Sequence, residues 1–359
     1  MDAQHQFRGC LLGGAVGDAL GAPVEFMSLS RICKHFGFGG IRDFAEFGGR
    51  KGSVTDETQM SLFTAEGLIR AVVRERHEGA PEYPRVVANA YQRWLRTQGV
   101  SNVYGIDPLV PEPGWLYGVK DLHAMRAPGR TSRAALRSVA VLGKPADNDS
   151  SGCGGVMRVA PVGLFANDIE ESFELGCQIA ALTHGHPTGW LAGGAFAVMI
   201  TAIRQGASLP DALNTALDCL EPKDGNKELL DALEMAEDLA NEGSDSDTAI
   251  TELGRGWMAD EALSIAVYCA LRAKNFSDGV IMAVNHNGDS DTTGALTGNL
   301  LGAIWGEQGI PAQWLKQLEL RKVITEVADD LFDCRKWVIG PGAENQEFSK
   351  KMWAKYPGY

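Results

Sequence analysis

Two carboxylates and three hydroxyls crowd the turn Asn285-His-Asn-Gly-Asp-Ser-Asp-Thr-Thr-Gly294. Asp289 and Asp291 repel one another unless a cation lies between them, and oxygen donors of this hardness suit Mg²⁺, Mn²⁺ or Ca²⁺ better than zinc. Gly52-Ser-Val-Thr-Asp-Glu-Thr-Gln59 repeats the design with Thr55, Asp56 and Glu57. Each turn runs into apolar residues at helical spacing: Ala295, Leu296, Leu300 and Leu301 after the first, Met60, Leu62, Phe63 and Leu68 after the second. Both sets of acids therefore sit at helix starts, where unpaired N–H groups and the helix dipole favour carboxylates. A single Ser, Thr or Asp already suffices as a cap. Two unrelated caps, or two acidic turns facing each other across one cleft around one or two cations, are the readings these residues leave open.

Other chemistry-bearing stretches lie between them. Asp147-Asn-Asp-Ser-Ser-Gly-Cys-Gly-Gly-Val-Met-Arg158 is polar and Gly-rich, suited to closing backbone N–H groups on a phosphate or ribose, or to a plain turn before a buried helix. In Thr183-His-Gly-His-Pro187 two histidines stand at i and i+2, but no third nitrogen or sulfur ligand is near, so a ligand-contacting or core histidine is expected rather than zinc. From Phe7 to Glu25, Leu11, Leu12, Val16 and Leu20 follow helical spacing while Gly9, Gly13, Gly14, Gly17 and Gly21 bare one face, so another backbone must approach closely there. Asp18, inside that apolar stretch, is expected to satisfy backbone N–H groups or orient a neighbour. Gly143-Lys144 is followed by Pro145, which rules out a phosphate-binding P-loop, and no G-x-S-x-G elbow is present.

The elements that carry these turns read as helices almost throughout. Helices are predicted over 7–25, 57–76, 84–97, 190–203, 259–273, 276–285, 292–306 and 311–333. Another of three or four turns uses Leu229, Leu230, Leu233, Met235, Ala236 and Leu239. Residues 28–53 read as a Gly- and aromatic-rich loop, and 99–131, with Pro108, Pro111, Pro113 and Pro128, as a long loop with one short helix. The tail from Trp337 reads as irregular. The expected fold class is all-α, as a single domain over 1–359 with its core over 7–335. A formal charge of −13 argues against nucleic acid or an anionic membrane as partner. Seven scattered cysteines without a C-x-x-C pair, and a start with no signal-peptide pattern, point to reduced thiols in the cytoplasm.

Gly17-Asp-Ala-Leu-Gly21 with Glu25, Thr55-Asp-Glu-Thr58, Met157-Arg-Val-Ala-Pro161, Thr183-His184 and Gly288-Asp-Ser-Asp-Thr-Thr293 together resemble, in order and spacing, the ADP-ribosylglycohydrolase family. The resemblance implies a compact orthogonal helical bundle with two Mg²⁺, or Mn²⁺, in a cleft. Carried over by position, it implies Thr55, Asp56, Glu57, Asp289, Asp291 and Thr292 as metal ligands. Glu25, with Asp56 and Asp289, would be catalytic. Gly152, Cys153, Gly154, Gly155 and Met157 would lie along ADP-ribose, and His184 would contact the same ligand. Glu57 departs from the family's usual Asp, and Cys153-Gly154 from a frequent Asn-Gly. The implied activity is hydrolysis of ADP-ribose from a modified protein, from arginine first, with free ADP-ribose as product, and with reversal of a toxin's modification as one use. Hydrolysis of a serine or O-acetyl linkage, or a non-catalytic ADP-ribose-binding or toxin-blocking role, is the alternative.

Overall fold

The computed structural model describes residues 2–79, 82–100 and 114–358. Helices dominate it: α1 (Ala3–Gly21), α2 (Leu29–Phe36), α3 (Asp56–Glu78), α4 (Tyr83–Thr97), α5 (Arg130–Ser138), α6 (Ala160–Phe165), α7 (Ile169–Ala181) and α8 (Pro187–Arg204). Then come α9 (Leu209–Leu220), α10 (Lys227–Glu242), α11 (Ser246–Leu253), α12 (Ala259–Arg272), α13 (Phe276–Val284), α14 (Ser290–Trp305), α15 (Ala312–Gln317), α16 (Arg321–Asp333) and α17 (Gln346–Lys355). The fold is all-α, as its apolar periodicity requires. Among the described residues the strands are two short segments, β1 (Glu46–Phe47) and β2 (Arg50–Lys51), paired antiparallel with Glu46 opposite Lys51. Among the described residues no helix is long and apolar enough to cross a membrane.

The contact that organises the site is between α1 and α14. Gly9, Gly13, Gly17 and Gly21 run antiparallel to Gly302, Gly298, Gly294 and Ser290, one turn against one turn. A Cβ on Gly17 would lie 1.9 Å from the carbonyl oxygen of Gly294, so only glycine lets the two backbones meet. The expected close approach is therefore another helix, and it lays the C-terminal end of α1 beside the N-terminal end of α14. Elsewhere α8 is apolar on nearly every face and is buried accordingly. Glu66 of α3, buried, pairs with Arg70 at 2.9 Å and with Arg93 of α4 at 3.0 Å. The buried apolar side chains form one contiguous cluster that runs from Phe7 to Tyr356.

Several sequence expectations need correction. The 28–53 loop contains α2, capped by Ser28 and anchored by buried Ile32, and the β1–β2 hairpin; its glycines mask a short amphipathic period. The 311–333 helix is two, α15 and α16, broken where Leu320 takes φ +58°. In place of one short helix, the described part of 99–131 has two 3₁₀ turns, Leu116–Gly118 and Lys120–His123, and the start of α5 at Arg130. Pro108, Pro111 and Pro113 lie outside the described residues. The tail is not irregular: α17 docks Met352, and Tyr356 just beyond it is fully buried. On α10 the buried face is Leu229, Leu233, Ala236 and Leu239, whereas Met235 is exposed.

Candidate active site

Both acidic turns do start helices. Thr55 precedes α3 and Asp289 caps α14, accepting from the Thr292 amide. Thr55 does not cap with its own side chain. Its hydroxyl instead lies against Asp18 Oδ1 at 2.8 Å and against Glu57 Oε2. Asp18, on α1, also accepts from the backbone N–H of Thr55 at 3.0 Å and of Thr58 at 3.2 Å, the satisfying role expected of it.

The glycine contact then brings the second turn onto the first. Thr292 Oγ1 donates to Glu57 Oε1 at 3.1 Å, and its N–H donates to Asp291 Oδ1 at 3.0 Å. Carboxylate oxygens of Asp18, Glu57 and Asp291 lie within 4.8 Å of one another, and so do those of Glu25, Asp289 and Asp291. Asp291 is common to both groups, so the two clusters share an edge. Asp56 stands beside them, accepting from the Gly129 N–H at 2.9 Å. Thr55 and Thr292 are fully buried beneath the acids.

Burial raises the pKa of every one of these acids, and the other carboxylates raise most of them further. Asp18 is pushed up to about 6, Asp56 to about 7 and Glu25 to about 8, while Glu57, Asp289 and Asp291 are raised as well. The ion pairs of the described residues all lie elsewhere. Buried carboxylates without a paired cation, surrounded by hydroxyls and no nitrogen ligand, fit a hard divalent ion.

The acids form one wall of a cavity of about 320 Å³. Gly152, Cys153, Gly154, Met157 and His184 line a second wall, and the segment Ala127–Ser132, which enters α5, a third. Phe26, 72% exposed, stacks on Trp257 beside Glu25, with ring centroids 5.8 Å apart. Cys153 starts a 3₁₀ turn, Cys153–Arg158, that is pinned to the chain before α12. Cys153 N–H donates to Trp257 O at 3.1 Å, and Ala259 N–H to Ser151 O at 2.8 Å. Its thiol donates to Asp289 Oδ2 at 2.9 Å, tying the glycine loop to the acidic turn. Gly155 is not part of the cavity lining, and a Cβ there would meet Gly189 O at 3.2 Å.

Arg158 runs beneath this wall. Its Nη1 donates to Gly154 O at 2.8 Å, and its Nη2 to Thr183 Oγ1. The same oxygen lies 2.8 Å from His184 Nδ1. A Cβ on Gly154 would lie 3.2 Å from His184 Nε2. Burial and the Arg158 charge lower the His184 pKa to about 3, so the ring stays neutral. His186 makes no pair with it: its Nδ1 accepts from Thr188 N–H at 3.3 Å as the cap of α8.

Sequence reasoning thus named most of the residues in this cavity. It missed Asp18 as a member of the carboxylate cluster, for which a buried Asp on a glycine-lined helix was the available signal. It also missed the Ala127–Ser132 wall, Phe26 and Trp257, which no local pattern marks.

Known proteins resemble this chain over most of its length. The family model described as ADP-ribosylglycohydrolase matches residues 1–338. An ADP-ribosylarginine hydrolase, Tri1, of Pseudomonas putida is 25% identical over 92% of this chain and 79% of its own. The ADP-ribosyl-[dinitrogen reductase] glycohydrolase of Rhodospirillum rubrum is 25% identical over 87% of this chain and 90% of its own. A solved structure titled ADP-ribosylglycohydrolase-related protein complex superposes with a TM-score of 0.67 at 27% identity, covering 93% of this chain and 99% of that one. Because that family model spans residues 1–338, nearly the whole of it, the chain belongs to the ADP-ribosylglycohydrolase family.

Proposed function

We propose that the protein is a divalent-metal-dependent hydrolase that removes ADP-ribose from an arginine side chain of a modified protein. The observation that carries this reading is the pair of carboxylate groups sharing Asp291 at the edge of one cavity with the Gly152–Gly154 loop and His184. Similarity to a protein named as an ADP-ribosylarginine hydrolase favours arginine over other linkages.

In this reading Asp18, Glu57 and Asp291 hold one ion and Glu25, Asp289 and Asp291 the other, with Thr55, Asp56 and Thr292 completing the donor set. When bound there, two Mg²⁺ would anchor the ribose hydroxyls and lower the pKa of a water molecule. Glu25 takes the proton of the attacking water as the ribose C–N bond breaks, and returns it to the departing guanidine. The carboxylates beside it offset positive charge on the oxocarbenium-like ribose. His184 contacts ADP-ribose, and the glycines at 152 and 154 let the backbone approach the same ligand. In a cell exposed to an ADP-ribosylating toxin, the reaction restores the modified target.

The experiment incubates the purified chain with protein or peptide carrying ADP-ribose on arginine, on serine or as O-acetyl-ADP-ribose, with Mg²⁺ and with chelator. Release of ADP-ribose from arginine alone, abolished by chelator, is expected. Release from serine alone overturns the linkage, and full turnover in chelator overturns the metal site.

A further inference from the structure

Val54 immediately precedes the acidic turn of α3, and both of its backbone groups are taken by one ion pair from distant parts of the chain. Its N–H donates to Glu319 Oε2 at 3.0 Å, and its carbonyl accepts from Arg126 Nη1 at 2.8 Å. The guanidinium also grips Glu319 in a fork, Nη2 to Oε1 at 3.0 Å and Nη1 to Oε2. Glu319 is 2% exposed, and its own N–H donates to Gly52 O at 2.9 Å. A buried ion pair contributes little net stability, because desolvation offsets much of the attraction, whereas a bidentate fork fixes geometry closely.

The backbone around the pair is unusual. Among the described residues, Ala127 at φ +46° and Leu320 at φ +58° are the non-glycine positions in the left-handed region. Each directly follows a member of the ion pair. A residue with a Cβ is disfavoured there, so the surrounding structure holds the chain against its preference at both joints.

The two joints lead to the acids. Two residues past Ala127, the Gly129 N–H donates to Asp56 Oδ2 at 2.9 Å. One residue past Val54, Thr55 turns its side chain to Asp18 and Glu57 instead of capping α3. A single clamp therefore sets the peptide that enters the turn and the loop that holds its first carboxylate.

We infer that Arg126 and Glu319 are positioning residues that fix the rotation of the first turn of α3, and so aim Asp56 and Glu57 at the acids of α14. This inference rests on the reading of the acids as a metal site. Neither residue lines the cavity or belongs to the two carboxylate groups.

The test uses the full chain with Arg126→Lys, which keeps the charge but cannot span Val54 O and both carboxylate oxygens. Glu319→Gln, which keeps the shape and loses the charge, accompanies it. Asp329→Asn, which breaks the pair with Arg8 far from the cavity, is the control for a purely structural loss. Mg²⁺ affinity is measured by calorimetry well below each variant's unfolding midpoint, on protein shown folded by circular dichroism. Loss of a group that orients ligands typically costs about 10–100-fold in metal affinity, and that drop is expected for Arg126→Lys and Glu319→Gln but not for Asp329→Asn. Activity of both should recover as Mg²⁺ is raised, with KM for substrate little changed. Folded Arg126→Lys and Glu319→Gln proteins that bind Mg²⁺ within about twofold of wild type overturn the clamp. A wild type that binds no divalent cation overturns the metal site instead, so the two failures are distinct.

Discussion

Asp18 holds Thr55 through both the amide and the hydroxyl of that residue, at 3.0 and 2.8 Å, and reaches the Thr58 amide at 3.2 Å. Every donor it meets points inward, so an amide group at position 18 would face N–H against N–H. Asp18→Asn should leave a buried donor unpaired and lower stability by about 1–3 kcal/mol. The same variant should bind Mg²⁺ more weakly, because Asp18 also stands within 4.8 Å of Glu57 and Asp291. Thermal unfolding with and without Mg²⁺ reads both effects, and an unchanged Mg²⁺-induced shift would remove Asp18 from the site.

Gly17→Ala tests the frame in place of the acids. The new Cβ would sit 1.9 Å from Gly294 O, a backbone atom, so α1 and α14 must separate. Overpacking of this kind typically costs about 1–3 kcal/mol and occasionally more. Because Asp18 rides on α1 and Asp291 on α14, Mg²⁺ affinity should fall with the midpoint. Gly342→Ala, where a Cβ meets nothing within 4 Å, is the matched control and should change neither.

Proton release on metal binding follows from the raised pKa values. Without metal, Asp18, Asp56 and Glu25 hold protons up to about 6, 7 and 8. An unfolded chain releases them near about 4. Between those limits the folded state binds more protons than the unfolded one. The contribution to metal-free stability is therefore complete below about 4 and is lost as pH rises through about 6 to 8. A bound cation reverses the preference by favouring the charged forms, so it expels protons and binds more tightly as pH rises over the same window. Calorimetry at about pH 6 in buffers of different ionisation enthalpy should show that release, fading above about pH 8. Heats independent of buffer at the lower pH would contradict it.

Glu25→Gln should keep the fold, since the amide is nearly isosteric and the residue lies just beyond the end of α1. A positioned acid or base contributes about 10²–10⁴-fold, and that is the loss expected in single-turnover release of ADP-ribose. ADP-ribose affinity at saturating Mg²⁺ should stay close to wild type. Collapse of that affinity would make Glu25 a binding group rather than a proton carrier.

The parts of this molecule that were legible in the sequence are those written locally. Asp56 and Asp289 announce themselves because a helix start needs few acids and here has several. The glycine face of α1 likewise implies a partner, although nothing in it says that the partner is α14. α2 was hidden because Gly37, Gly39 and Gly40 dilute its single buried residue, Ile32. α17 was hidden because its anchor residues are sparse. Arg126 and Glu319 carry no local signal at all, since their meeting point, Val54, is distant from both in the chain.

The pairing of the first and fourteenth helices also sets a timetable. Asp18 can meet Thr55 while the chain is still short, but the glycine face of α1 has no partner until α14 has been synthesised. Closing so long a loop carries an entropic cost that grows with its length, and topologies built on distant contacts fold slowly. The N-terminal half of the carboxylate cluster therefore exists first as an incomplete set, with its acids gathered and their counterparts still missing. A divalent cation that prefers the complete set stabilises only the finished topology. In the proposed metal site it would act at the last step of folding rather than as its nucleus, because a chain stopped short of Asp289 lacks the acids of α14 that complete both carboxylate groups.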